Sequence, residues 1–195
     1  MKKTVKISMI VGGALISVAG AIYGIKKYKI YRLKHYTEGF LGQEEKTGNL
    51  GFKDEKFEQM MKDVGWKRGQ SWCAYFVKVI WVNKFGKKYP ELSKLLSGST
   101  QETWKNFKND TSGKFTVSKT PHIGDIAIWQ YVSKPTQGHT GIVVSIAGDR
   151  FETIEGNTND KGGREGYIVA KKQRQYSFNA TKGLKLLGFI HINKY

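Results

Sequence analysis

The sequence is poor in the residues that staple or stiffen small proteins. One cysteine among 195 residues excludes an intramolecular disulfide and any zinc site built from cysteines alone. Three prolines exclude a proline-rich stalk, and no internal repeat or low-complexity tract is present. Acidic side chains are scarce as well: 16 Asp and Glu stand against 33 Lys and Arg, a formal net charge of +17. Apolar bulk, by contrast, is plentiful. Hydrophobic residues make up 39% and aromatics 13%, which excludes a disordered tail and suffices for the core of one domain.

The positive charge falls in two places. Residues 1–40 carry eight basic side chains against Glu38 alone, a net of +7, and the other 155 residues carry 25 basic and 15 acidic. The first group brackets the one long uncharged run, the nineteen residues 7–25 between Lys6 and Lys26. As a helix that run would span about 28 Å, close to the hydrocarbon thickness of a bilayer. Tyr23, Tyr28 and Tyr31 stand where an interfacial aromatic belt would lie, and the flanking lysines can snorkel to headgroups. Residues 1–25 are therefore read as a membrane element. An uncleaved anchor is favoured over a signal peptide cleaved near Ala19-Gly20-Ala21, because the run is long and a basic stretch follows it directly; a buried helix of a soluble fold is the remaining reading. The Gly20-x-x-x-Gly24 spacing is a weak signal for helix pairing. Residues 26–50 read as a basic juxtamembrane extension and polar linker, its lysines facing a membrane surface rather than nucleic acid.

From residue 51 to 195 the pattern is that of a folded domain. Phe57, Met60, Met61 and Val64 follow helical spacing up to Gly65. A second helix is expected from Ser71–Cys73 to about Lys84, with Cys73, Phe76, Val77, Ile80 and Trp81 as its apolar face. Pro90 opens a short helix over 91–96, and Ser99-Thr100-Gln101-Glu102 is a capping box for another. After Lys114 the period turns to alternation, with strands expected over 123–130, 139–146, 150–155, 167–171 and 186–192. Helices followed by a strand meander predict an α+β fold with its helices packed on an antiparallel sheet.

A lone cysteine is ordinarily a small buried hydrophobe. Cys73 differs in position: Gly69-Gln70-Ser71-Trp72 is a turn-like lead-in that places it in the first turn of a helix. There free N–H groups and the positive end of the dipole stabilise a thiolate. A nucleophilic thiolate also needs a base and an acid. His35 lies in the basic run, His122 in a loop and His191 in the last strand without polar company. His139, between Gly138 and Thr140-Gly141 at the head of a strand, is the most approachable. Glu155 and Asn157, two apart in the next strand, share a face and can orient its far nitrogen; the plainer reading is a strand end with Gly156 as its turn. Pairing decides part of this. A three-residue loop at 147–149 sets His139 opposite Asn157 and Gly141 opposite Glu155, whereas a two-residue loop without a bulge turns His139 to the wrong face. An odd loop or a compensating bulge is therefore expected. Asp125 and Trp129 read as a turn residue and a core or groove-wall aromatic, and no metal-ligand spacing stands out.

Four motifs in order, Trp72-Cys73-Ala74-Tyr75-Phe76-Val77, Gly124-Asp125-Ile126-Ala127-Ile128-Trp129, Gly138-His139-Thr140-Gly141-Ile142-Val143 and Ile154-Glu155-Gly156-Asn157-Thr158, resemble those of CHAP domains, cysteine- and histidine-dependent amidohydrolase/peptidase domains of the papain-like superfamily. The resemblance covers about residues 55–192. It implies a papain-like fold, Cys73 as nucleophile, His139 as base, Glu155 as its orienting group and Asn157 as the accompanying polar residue. No cofactor and no metal are expected, since no metal-ligand cluster has convincing spacing. The resemblance also implies acyl transfer through a thioester, with the Cys73 N–H as one oxyanion donor; the Gln70 carboxamide is a candidate for the other, though a polar turn residue is the plainer reading.

The function so implied is cleavage of amide bonds in peptidoglycan, as an N-acetylmuramoyl-L-alanine amidase or an endopeptidase of bacterial or phage lysin type. The membrane, through the N-terminal helix, and anionic envelope polymers are the expected partners besides peptidoglycan, and nucleic acid is not. The place of action is the cell envelope. The positive-inside count points the other way, to a cytoplasmic C-terminal side. The competing readings are a membrane-associated cysteine peptidase acting on a protein and a catalytically silent envelope-binding module.

Overall fold

The computed structural model describes residues 21, 24, 28, 30–159 and 166–193. The expected membrane segment, 7–25, lies outside these but for residues 21 and 24. Among the described residues no helix is long and apolar enough to cross a membrane.

Helices precede strands, as the change of period after residue 114 predicts. Residues 30–38 are helical (α1), followed by α2 (Glu55–Asp63), α3 (Cys73–Phe85), α4 (Leu92–Leu95) and α5 (Thr100–Asn109). Strands β1 (Phe115–Ser118), β2 (Ile126–Tyr131), β3 (Lys134–Ala147), β4 (Arg150–Thr158), β5 (Ile168–Gln175) and β6 (Leu184–Ile192) form one sheet in the order β1-β6-β2-β3-β4-β5. Every neighbouring pair is antiparallel, so the fold is α+β. Strand β1 is absent from the sequence reading; its four residues are too few for alternation to declare itself, and pairing with β6 defines it.

The helix ends follow local chemistry. The Asp54 carboxylate accepts from the Phe57 N–H at 2.9 Å to open α2. Gly65, at φ 97°, closes it, with Trp66 N–H donating back to the Met61 carbonyl. At α5 the Ser99 hydroxyl accepts from the Glu102 N–H, but the return bond is relayed: Ser97 Oγ accepts from the Ser99 N–H and donates to the Glu102 carboxylate. Helix α3 is apolar nearly all round, and Phe76, Val77, Val79, Ile80 and Trp81 are all buried. It is the central rod of the helical layer, seated on Ile126, Ile128, Ile142, Val144 and Ile154 of the sheet.

Residues 39–50 do not run free as a linker. The Gly42 N–H donates to the Val169 carbonyl, the Val169 N–H to Gln43 and the Glu45 N–H to Tyr167, so this stretch covers the outer edge of β5. Ahead of it, Leu33, Thr37 and Phe40 are buried, and Phe40 packs edge-on to Phe76. The folded unit therefore begins within the basic extension. Polar composition concealed this, because the contacts are backbone bonds to a sheet edge and the buried residues are confined to positions 33, 37 and 40.

The β3–β4 hairpin turns through a two-residue loop, with Ala147 paired to Arg150. A register shift between Val143 and Ser145 leaves Val144 as a bulge and pairs Val143 with Thr153 and Ile142 with Ile154. Continued by one and by three residues beyond Ile142–Ile154, that register would set Gly141 opposite Glu155 and His139 opposite Asn157. The compensating bulge is thus the device used.

Candidate active site

Cys73 is the first residue of α3, and no side chain caps this helix end. The N–H groups of the first turn have no intrahelical acceptor, and Cys73 borders a cleft. Trp72, just before it, is completely buried, its ring edge-on to Phe52 at 5.0 Å and its indole N–H bonded to the Glu45 carboxylate. These contacts fix where the helix starts. Strand β4 comes close to the same point only because residue 156 is glycine: a Cβ there would lie 2.6 Å from the Trp72 ring and 2.7 Å from Phe76 Cβ.

His139 stands in β3 opposite Trp129 of β2, its ring 6.2 Å from the indole. Its Nε2 lies 2.8 Å from Glu155 Oε2, which leaves Nδ1 free of that bond, and Cys73 is the other side chain that acts on this ring. Glycine at 141 makes room for the carboxylate, since a Cβ there would lie 2.5 Å from Glu155 Cγ. Glu155 has no solvent exposure, yet it is richly supplied with donors. Arg174 Nε donates to Oε1 at 2.7 Å, the same guanidinium bonds Oε2, and the Thr153 hydroxyl donates to Oε1. The Arg174 guanidinium lies 5.1 Å above the Trp129 ring, and Trp129 itself stacks on Phe151 at 6.1 Å.

The charges within this cluster determine its protonation. Burial works against a charged His139, but the Glu155 carboxylate and the bonds to Cys73 and Glu155 outweigh it and hold the imidazole well above its ordinary value. Burial likewise works against the Glu155 anion; His139 and Arg174 overcome it and hold the carboxyl well below the usual range. A buried ion pair flanked by a second cation is the result.

Asn157 takes a left-handed backbone, φ 53°, at the register shift between Glu155 and Thr158. It is 3% exposed, and its Oδ1 is buried without a hydrogen-bond partner among the described residues. Together with Ser71, Cys73, Thr100, Tyr131 and His139 it lines a cleft of about 200 Å³. Cys73, His139, Glu155 and Asn157 are thus brought together. Gln70 is not. Its Oε1 accepts from the Lys67 N–H at 3.0 Å, folding the carboxamide back on its own exposed turn, and it does not line the cleft. Asp125 is a turn residue as expected, accepting from the His122 N–H at 2.7 Å; burial pushes its carboxyl up to about 8. Trp129, at 1% exposure, is a core aromatic beneath the site. His35 is exposed on α1.

Two groups escaped the sequence reading. Arg174 and Thr153 both complete the shell around Glu155, and the alternation of β4 and β5 was the signal available. Thr153 shares a face with Glu155, and Arg174 is opposite Phe151, so both flank the carboxylate once β4 and β5 are paired.

Residues 65–157 match the CHAP domain family. No curated protein matches the chain. Among solved structures, the crystal structure of a wild type endolysin, LysIME-EF1, superposes with a TM-score of 0.50 at 17% identity, over 84% of this chain and 63% of that one. At that identity the likeness speaks for the fold, and this chain spans under two thirds of the endolysin's length.

Proposed function

As the chain is a CHAP domain protein, we propose that it is a peptidoglycan hydrolase that cleaves an amide bond by cysteine nucleophilic catalysis. The observation that carries this reading is the alignment of Cys73, at an uncapped helix start, with a His139 whose other nitrogen is 2.8 Å from Glu155. The Cys73 thiolate attacks the amide carbon, and the tetrahedral oxyanion meets the Cys73 N–H. The C–N bond breaks as the His139 imidazolium gives its proton to the departing nitrogen. Water then attacks the thioester, passing a proton to His139 and releasing the carboxylic acid and the thiolate. Glu155 holds the imidazole in orientation and stabilises its charged form. The unpartnered Oδ1 of Asn157 offers an acceptor to a substrate N–H at the cleft wall.

In this reading residues 1–25 tether the enzyme at the membrane, and the catalytic unit extends upstream of residue 51 into the extension. Tyr28 and Tyr31, each 60% exposed, support an interfacial position for the start of α1. Net positive charge favours anionic envelope polymers as the surface on which the enzyme works. Digestion of purified sacculi by the full chain, with Cys73→Ala as control, tests the reading. Release of muropeptides by wild type alone is the expected result, and mass spectrometry of the products separates amidase from endopeptidase. Cleavage of an envelope protein with sacculi left intact would favour the peptidase reading. Sequencing the mature N-terminus decides between anchor and signal peptide.

A further inference from the structure

Three potential metal ligands meet at the far end of α3 from Cys73. Strand β2 pairs with β6 at Ile126 and Ile190, and the next step of that register sets Asp125 opposite His191. The turn before β2 brings in the third member: the Asp125 N–H donates to the His122 carbonyl, and the His122 N–H donates to the Asp125 carboxylate. One ligand atom from each of His122, Asp125 and His191 lies within 4.8 Å of the others. His122 Nδ1 and Asp125 Oδ2 are 3.5 Å apart, and the two imidazoles are 5.0 Å apart and steeply inclined.

We propose that His122, Asp125 and His191 form a binding site for a transition-metal dication of the zinc class, coordinated by two imidazoles and one carboxylate. Bonds of about 2.0–2.2 Å in a tetrahedral shell imply ligand separations of about 3.3–3.5 Å. The His122–Asp125 pair already has that spacing. The widest pair, at up to 4.8 Å, must close by up to about 1.3–1.5 Å to reach that spacing. The His122 side chain is 60% exposed and has room to swing. Asp125 is held by the His122 backbone, the kind of outer bond that orients a ligating carboxylate. The fourth position opens on a cavity of about 430 Å³ walled by Ile30, Trp81, Phe85 and Ile146.

Two nitrogens and one oxygen suit zinc better than the all-oxygen shells of calcium or magnesium. The site lies twelve residues along α3 from Cys73, about 18 Å of helix, too far to touch the reacting amide. Its effect is structural: it clips the end of the last strand to the turn that leads into the centre of the sheet. This site does not depend on the hydrolase reading, because its ligands and its test are separate from Cys73.

The test is zinc titration of the full chain after chelator treatment, with any polyhistidine tag removed. Cys73→Ala is the background, which removes the active-site thiol as a competing ligand. One equivalent of Zn(II) is expected to bind, with thermal unfolding raised by about 5–10 °C at a hundredfold excess over Kd. Cobalt(II) in its place should give tetrahedral d–d bands without a thiolate charge-transfer band. Adding His122→Ala or His191→Ala should weaken binding at least a hundredfold. His122 is the decisive position, because its exposure lets the variant fold. Failure of the Cys73→Ala background to bind zinc at 100-fold molar excess overturns the proposal, and so does unchanged affinity in His122→Ala.

Discussion

Two buried carboxylates, each beside a histidine, have opposite fates in this molecule. Glu155 has no exposure and Asp125 has 3%, so water is withdrawn from both. Around Glu155 stand the His139 imidazole, the Arg174 guanidinium and the Thr153 hydroxyl, and its carboxyl is held well below the ordinary range. Asp125 accepts one backbone N–H, with the His122 ring at 3.5 Å, and burial carries it up to about 8. Burial alone therefore does not make a carboxylate functional or inert; the number and charge of its donors decide whether it stays an anion. Only an anion can hold His139 as an imidazolium able to protonate a leaving amine. Stripping partners from the first cluster, step by step, moves Glu155 toward the condition of Asp125.

The largest effect removes the chemistry around which the cluster is built. Cys73→Ala and His139→Ala should each reduce sacculus digestion by at least about a thousandfold. The double variant should be scarcely worse than either, because the two act as a unit. Full near-ultraviolet circular dichroism with no activity is the expected signature. Retention of a tenth of wild-type activity by Cys73→Ala would break the nucleophile assignment.

Next comes the carboxylate itself. Glu155→Gln keeps the shape, removes the charge, and should cost about 100- to 1000-fold in kcat. It also moves the alkaline limb of the pH–rate profile to lower pH, because the charge that raises His139 is gone. Stability carries the same sign information. The raised His139 contributes fully below its unfolded value near 6.5 and less as pH rises through the folded value; the lowered Glu155 contributes above about 4.3 and less as pH falls. The gap in Tm between wild type and Glu155→Gln should therefore be widest between about pH 4.5 and 6.5. A gap that is flat across pH 4–9 would mean the pair is not ionised.

Arg174→Gln should have a milder effect, about tenfold in kcat, and the opposite sign in pH. With the guanidinium gone, Glu155 gives its charge to His139 undivided, and the alkaline limb moves up rather than down. Arg174→Lys should restore much of the pH position, since the charge returns, but less of the rate, since a point charge does not reproduce the fork on both carboxylate oxygens. A shift in the same direction as Glu155→Gln would show that Arg174 acts only by holding the carboxylate in place.

Much of this cluster is legible in the sequence. Cys73 could be placed by its lead-in turn, His139 by its small neighbours, and Glu155 by its two-residue offset from Asn157 in the next strand. The pairing argument went further, since it demanded an odd loop or a bulge, and Val144 is the bulge. Arg174 lay beyond reach because it joins the cluster only after β5 returns along β4, and residues 159–167 give no period from which to set that register. The pairing of Asp125 with His191 escaped for the same reason: 66 residues separate them, and only the β2–β6 ladder brings them together. Gln70 takes the plainer of its two readings, that of a polar turn residue. Its Oε1 accepts from the Lys67 N–H within the turn, and the side chain stays out of the cleft lining. Local chemistry was legible up to the span of one hairpin; beyond that, long-range pairing decided.

The smallest step on the scale is Thr153→Val, which is close to isosteric and removes one neutral donor from Glu155. Arg174 and His139 remain, so the carboxylate keeps its charged partners and loses one hydrogen bond at Oε1. The change should cost about 1 kcal/mol in stability, the net worth of a buried hydrogen bond together with part of the penalty for an under-donated oxygen. Activity should fall by no more than severalfold, with the alkaline limb moving slightly upward: with one partner fewer, the Glu155 charge bears more strongly on His139. The two readouts separate a positioning role from simple packing, because a lost methyl contact or a cavity would lower Tm without moving the pH profile. A Tm loss with an unmoved profile would assign Thr153 to the core of the sheet and leave Arg174 as the one residue that tunes the Glu155–His139 pair.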